Sequence, residues 1–430
     1  MRVMDNGIRR YQLILGAMFA VAIAIYLSVV HLTGIESEVV NGYLPYADEL
    51  MNGSIPKMEY PPFALAFIVL PRLFVSAPFA YEAAFAVMAF VFFMIGLLVV
   101  AKLAKRYYQN QHFAMLVYTA LMLLMLPFVL DRYDIFPAIL TLLSFYCLVT
   151  KKYTWAFVLL SIAAMTKLYP AMLFPIYLIP FIFNRDWSNV MKGAGMFVAT
   201  AFLIVLPFFL LDSDAVFHFL SYHMDRPMQI ESTAASFVAL LSLLGLTNYD
   251  VVFSFGSDNM VGPLPDAVAP FLTPLMLTAS VAVYALYAYW LSKSREGGLD
   301  SENNRMVLLG GAAVLTILAF IVFGKVLSSQ YIIWIIPFVV FMMMTSIDHT
   351  SKKYILMLSI AAIALTQLNF AVNLGISGGG AGITDAGMMI VLARNLVLIV
   401  LFAYIVKTCT ESIRKRPWRS KPADERYQKI

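Results

Sequence analysis

The sequence predicts an all-α polytopic membrane protein, a bundle of about 12 transmembrane helices with structured loops on its outer face. Three observations carry this expectation. Of 430 residues, 61% are hydrophobic and 13% are charged, against ~45–50% and ~25% in a typical soluble domain. Apolar runs long enough for membrane helices recur along the chain, separated by short polar breaks. The basic residues also fall overwhelmingly on one side of those runs. This composition excludes a water-soluble enzyme and a disordered chain. Twelve helices of ~20 residues use about 240 positions, leaving roughly 190 for loops and tails but none for a separate soluble domain. Cys147 and Cys409 lie in or beside apolar runs, so neither a disulfide framework nor a Cys-based metal site is expected.

Taken in order, a polar and basic Met1–Arg10 precedes the apolar run Tyr11–Thr33. That run is longer than a signal-peptide core and lacks a small-residue cleavage site, so it reads as an anchoring helix. The first outer loop, 34–79, contains the apolar stretch Phe63–Phe74, opened by Pro61-Pro62 and too short to span; it reads as a helix at the membrane surface. Further apolar runs centre on residues 90, 121, 142, 160, 177, 203, 278, 314, 337, 362 and 397. Thr166–Pro170 divides the runs at 160 and 177 into two short helices meeting at a polar apex. A second outer segment, 212–266, holds a polar stretch (Tyr222–Ser232), a helix-like stretch (Phe237–Leu244) and a Gly/Asn-punctuated hairpin candidate (Tyr249–Gly262). Residues 1–410 therefore read as one transmembrane domain, followed by a basic tail, 411–430, with seven Lys/Arg against three Asp/Glu.

With the N-terminus inside, 23 of the 30 Lys/Arg are cytoplasmic, the C-terminal tail included. Lys57, Arg72, Arg132, Lys167, Arg226, Lys325 and Arg394 lie on or toward the other side. The positive-inside rule supports this orientation in a cell membrane.

Charges so close to hydrocarbon usually face a cavity or a partner. Arg132, Lys167, Arg226 and Lys325 stand at the outer ends of four apolar runs, near the carboxylates Glu36, Glu38, Asp48, Glu49 and Glu59 of the first loop. Together they point to a cavity that binds phosphate and handles protons. The structural alternative is snorkelling side chains, or ion pairs such as Arg132 with Asp131 or Asp134. A loop carboxylate can accept a proton from a substrate hydroxyl, and Pro61-Pro62 restrict the backbone that aims Glu59. His218 and His223 lack metal-ligand spacing, so no metal site and no cofactor are expected.

Tyr43-x-x-Tyr46-Ala47 with Gly53, then Glu59-Tyr60-Pro61-Pro62, resembles the first outer loop of glycosyltransferase family 87, the polyprenol-phosphate-mannose-dependent mannosyltransferases of the GT-C superfamily. Four more stretches match in order: Asp131-Arg132-Tyr133-Asp134 with Pro137, Thr166–Pro170, Tyr222–Ser232 and Gly324–Tyr331. Ser254-Phe255-Gly256-Ser257 is similar as well. The family's proposed base is an Asp about four residues before the Tyr43 position; Val39 stands there in this chain, with Glu38 beside it. Pro227 and Ser329 replace a more usual Gly and Pro, and the loop before Glu59 is shorter.

The resemblance implies a GT-C-type bundle that transfers a hexose, mannose in the family, from a polyprenyl-phosphate donor to a lipid-linked or glycan acceptor at the outer face. It makes Lys167, Arg226, Lys325 and Arg132 the donor-phosphate residues, and Glu38 the base, with Asp48 and Glu59 behind it. Tyr43, Tyr46, Tyr60, Asp131, Asp134, Tyr169, His223, Gln229, Glu231 and Gln330 become substrate-binding candidates. A single base facing a departing phosphate implies inversion at the anomeric carbon. The partners expected are the lipid-linked donor, its acceptor and membrane lipid, with no nucleic acid. The rival class is a polytopic transporter or flippase for a lipid-linked sugar, which would show broken helices in both halves and ionisable groups near the midplane.

Overall fold

The computed structural model describes residues 2–34, 37–108, 110–376 and 384–414. Glu36 and the tail beyond Arg414 lie outside the described residues. The order is α1 (Arg2–Thr33), a π-helical turn (Val39–Tyr43), α2 (Leu44–Met51), α3 (Ala64–Arg72), α4 (Pro78–Tyr107), α5 (Gln111–Leu124), α6 (Leu126–Asp131), α7 (Ile135–Val149) and α8 (Tyr153–Thr166). A 3₁₀ turn (Tyr169–Leu173) leads into α9 (Phe174–Phe183), then α10 (Trp187–Leu211), α11 (Ser213–Asp225), β1 (Met228–Gln229), α12 (Thr233–Leu243), β2 (Asp250–Ser254) and β3 (Ser257–Val261). The chain continues through α13 (Pro263–Glu296), α14 (Glu302–Phe323), a 3₁₀ turn (Ser329–Tyr331), α15 (Ile332–Met344), α16 (His349–Ile376) and α17 (Asp385–Ser412).

The fold is the expected all-α polytopic membrane bundle. Each of the twelve apolar runs forms a helix. Among the described residues, seven helices (within α1, α4, α10, α13, α14, α16 and α17) are long and apolar enough to cross a membrane unaided, and the others are shorter. Helix starts are set by local chemistry. Side-chain oxygens of Asp186, Asp212, Ser232, Ser301 and Thr384 accept backbone N–H groups at the starts of α10, α11, α12, α14 and α17, satisfying donors that have no intrahelical partner. Pro78 opens α4, and Lys105 and Arg106 close it, where cations complement the helix dipole.

Helices α14 and α15 form the centre: every residue of α15 is buried, so its run of branched and aromatic side chains packs on all sides. Helix α10 is the opposite case. None of its apolar 18-residue window is fully buried within the protein, so one face of the helix is left to lipid. Gly193 lets α10 approach the Phe157 ring of α8, where a β-carbon would overlap it.

The two ends of the bundle differ. One end gathers residues the basic-residue pattern assigns to the inside: Arg106 pairs with Glu302 at 3.1 Å, Arg295 and Arg305 share Asp300, and Lys352 lies over the Tyr108 ring. At the other end lie the first loop and the segment from α11 to β3. There β2 and β3 form an antiparallel hairpin, and β1 pairs on the far edge of β3. Phe255 and Gly256 at the hairpin tip both have positive φ, as type I′ turns require. The hairpin and a short helix after Pro61-Pro62, α3, form as expected; α2 and α11 are additional.

Candidate active site

Five segments distant in sequence meet at the loop-bearing end: the first loop, the α6–α7 junction, the α8 C-terminus, the end of α11, and the turn before α15. The residues group into three adjoining sets.

The first set surrounds Glu38. Its Oε1 lies 2.9 Å from Arg132 Nη1, and its backbone N–H donates to Asp131 Oδ1 at 2.7 Å. The carboxylate folds back over Gly42, where an added β-carbon would stand 2.8 Å from Oε1. The π-helical turn Val39–Tyr43 makes this possible by carrying the chain from Glu38 to the buried Tyr43; such turns recur at functional sites. Tyr43 is packed edge-on to Tyr60 and Tyr133, so it supports the site from below.

The second set encloses Lys167, the residue after the α8 C-terminus. Its Nζ lies 2.7 Å from Asp134 Oδ1 and 4.8–5.7 Å from the ring centroids of Tyr60, Tyr133, Tyr331 and Trp334. Trp334 also donates its indole N–H to Asp134 Oδ1 at 2.7 Å. Asp134 is 1% exposed, and its Oδ2 has no hydrogen-bond partner. Tyr169 is stacked on Trp334 at 4.0 Å and is equally buried, so it floors the cage. The acidic partners thus differ from the neighbouring pairs the sequence offered. Asp134 goes to Lys167, and Arg132 to Glu38, because Asp131 ends α6 while Asp134 precedes α7.

The third set is cationic. Arg226, 8% exposed, donates from Nη2 to Ser257 Oγ at 2.5 Å, while its buried Nε has no partner. Lys325 Nζ donates to the Met224 carbonyl at 2.8 Å, placing it over the end of α11. Burial and the Arg226 charge hold the Lys325 ammonium below its ordinary pKa. The neighbouring Tyr222 hydroxyl donates to the Phe255 carbonyl at the hairpin tip.

Glu59 and His223 join these sets. Glu59 Oε2 accepts the Tyr46 hydroxyl at 2.8 Å, and the Glu59 backbone is hydrogen-bonded to His223. Burial, then the charges of Arg226, Lys167 and Lys325, push the His223 imidazole down to about 4. Three cations from three segments are therefore close enough to act on one ring. The field of Glu59 reaches Lys167, Tyr46 and Tyr222, and that of Glu38 is felt at Tyr43 and, behind Glu59, at Tyr46 and Tyr222.

Other candidates lie at the margin. Asp48 is engaged by Arg72 Nε at 2.5 Å, on the side of the loop that faces α3. Gln229 and Glu231 bond to Ser328 and Ser329, and Gln330 sits in the same turn. Sequence reasoning missed Trp334, Tyr331, Ser257 and the buried Arg394 as contributors. Trp334 was hidden in an apolar run, although its place three residues after Tyr331 puts both on one helical face. Among the described residues, no group of three or more His, Cys, Asp or Glu is arranged to hold a metal ion.

A groove of about 420 Å³ opens beside the cage, lined by Pro62, Phe63, Val69 and Leu70 of the first loop and α3, and by Leu203 and Pro207 of α10. Its near end is fixed to the site, since the Phe63 N–H donates to the Met165 carbonyl at 2.9 Å, two residues before Lys167.

A helical membrane bundle with cations and carboxylates clustered at one end is an architecture suited to group transfer at a membrane surface. The model of glycosyltransferase family 87 matches residues 59–303, more than half of the chain, and the chain belongs to that family. It is a membrane glycosyltransferase. The matched region holds Glu59, Lys167, Arg226 and the hairpin; Glu38 and Lys325 fall outside it and rest on the geometry above. Among solved structures, a crystal structure of ArnT from Cupriavidus metallidurans bound to undecaprenyl phosphate is similar at a TM-score of 0.46 and 12% identity, covering 93% of this chain and 78% of that one. No curated protein matches the chain.

Proposed function

We propose that the protein transfers a hexose, mannose by the family resemblance, from a polyprenyl-phosphate donor to a lipid-linked or glycan acceptor at the extracytoplasmic face of the cell membrane, with inversion. The observation that carries this reading is the grouping of Lys167, Arg226 and Lys325 at the loop-bearing end, beside an apolar groove along α10 that is tied to the Lys167 segment through Phe63. A phosphate at the cations with its lipid tail in the groove satisfies both features at once. Residues 1–410 act as one transmembrane unit, with both termini cytoplasmic.

Phosphate leaves readily once its charge is met, so the protein supplies cations and no acid. Arg226 presents an unpartnered Nε, and Lys325 adds an ammonium held over the end of α11 by the Met224 carbonyl. Lys167 is held by Asp134 and the aromatic cage, so it acts as a fixed positive field. As the bond from the anomeric carbon to the phosphate oxygen breaks, the acceptor oxygen bonds to that carbon from the opposite face. Its proton passes to a carboxylate, and polyprenyl phosphate is released.

Inversion requires the base to stand across the sugar from the phosphate. Inversion therefore favours Glu38. Glu59 adjoins the cations through His223 and Lys167, at the phosphate end, and there braces Tyr46. Glu38 lies in the first set, aimed by its pair with Arg132. Arg132 is thereby assigned to the base.

The test is transfer by the purified chain from polyprenyl-phosphate-linked radiolabelled mannose to an acceptor fraction of membrane lipid. Label moving to acceptor with release of polyprenyl phosphate is the expected result. Translocation of the intact donor across vesicles without transfer would overturn the reading.

A further inference from the structure

We infer that Arg394, deep in α17, is a positioning residue for the phosphate site, acting through a clasp between the two segments that carry Arg226 and Lys325. The inference rests on the proposed role of those two cations. Arg394 is fully buried in a helix long and apolar enough to cross a membrane, where an unpaired charge is costly. Its Nη1 lies 2.7 Å from Glu231 Oε2, and its Nη2 donates to the Glu231 carbonyl at 2.8 Å. Asn395 donates to the Glu231 carbonyl at 3.2 Å and to Ser236 Oγ at 3.2 Å, fixing the start of α12 on α17.

Glu231 passes this anchorage on. The same Oε2 accepts the Ser329 hydroxyl at 2.8 Å. Two residues earlier, the Gln229 N–H donates to the Lys325 carbonyl at 3.0 Å, and the Gln229 side-chain N–H donates to Ser328 Oγ at 3.0 Å. Three rungs thus tie the strand after Arg226 to the turn after Lys325. No bond in the clasp uses the Arg226 or Lys325 side chain, yet its two ends set how far apart the two cations stand. A buried, paired charge is expensive to break on one side, so the clasp holds one geometry.

The test measures undecaprenyl phosphate binding to the purified full chain in nanodiscs, with undecaprenol as the phosphate-free control. Lys325→Ala should weaken binding about tenfold or more, and Arg394→Met about tenfold. The double variant should fall no more than about threefold below Lys325→Ala, because both changes act on one element. Hydrogen exchange in residues 325–331 should rise in Arg394→Met. Normal exchange there, or multiplied losses in the double variant, would overturn the clasp. Wild-type binding by Lys325→Ala with raised exchange in Arg394→Met would instead refute the phosphate reading and leave the clasp standing. Where Arg394→Met does not yield folded protein, Glu231→Gln removes the same charge pair while keeping the side-chain shape, and the same signs apply.

Discussion

Glu38→Gln separates chemistry from structure at the proposed base. The carboxylate pairs with Arg132 at 2.9 Å, with the two side chains 34% and 29% exposed. Ion pairs this open to solvent contribute ~0–1 kcal/mol. The amide oxygen of Gln can still accept from Arg132, and the backbone bond from Glu38 to Asp131 is untouched. Stability should therefore fall by no more than about 1 kcal/mol. Loss of a general base removes ~10²–10⁴ in rate, equivalent to about 3–5 kcal/mol of barrier. The chemical loss thus exceeds the structural one severalfold. Single-turnover transfer at matched donor occupancy reads the first, and thermal unfolding reads the second. Asp48→Asn should turn over nearly as wild type, since Arg72 holds Asp48 away from the cluster. Glu59→Gln should lose less than Glu38→Gln. Normal turnover by Glu38→Gln beside a dead Glu59→Gln would refute the geometric argument and move the base to the phosphate end.

Gly42→Ala keeps every charge but places a β-carbon 2.8 Å from Glu38 Oε1, so turnover should fall about tenfold or more through displacement of the carboxylate, with donor binding unchanged. Arg226→Ala should weaken donor binding roughly ten- to a hundredfold, and Arg226→Lys should restore little because the planar fork is lost; titration with polyprenyl phosphate checks both. His223 has a folded pKa of about 4, below its ordinary 6.5, so the unfolded chain binds the extra proton between those values. Stability should decline as pH falls from about 6.5 toward 4, by about 3 kcal/mol in all, and His223→Gln should flatten that slope in thermal melts. A cysteine at position 57 should react with an impermeant thiol reagent in intact cells, and one at position 295 should not; the reverse pattern would invert the orientation.

The helices were legible because hydrophobicity alone demands them in a bilayer, where every backbone polar group needs an internal partner. Pro61-Pro62 announced α3, and the Gly/Asn punctuation of 249–262 announced the hairpin. Side-chain pairing was not legible. Asp131, Arg132 and Asp134 are neighbours in sequence, yet the break between α6 and α7 sends Asp134 to Lys167 and Arg132 to Glu38. Nothing local to those residues encodes the turn. Arg394 did carry a signal, a charge within an apolar run, but its partner Glu231 lies 163 residues away. The cations that sequence singled out at four helix ends were recoverable because a charge there is costly wherever it points.

Helix α10 has a consequence for kinetics. Because α10 leaves one apolar face uncovered by the protein and its C-terminal half forms one wall of the groove, the groove is open sideways, toward lipid. The lipid-linked donor of the proposed function, entering there, would keep to its leaflet while its head group reached the cations at constant depth. Encounter is then governed by the number of donor molecules per unit area of membrane, and diluting the suspension leaves it unchanged. Under the proposed function, polyprenyl phosphate released by the reaction would depart by the same opening and compete for it. Turnover in vesicles should therefore scale with the mole fraction of donor in the bilayer and be inhibited by the mole fraction of product, whatever the volume of water around them.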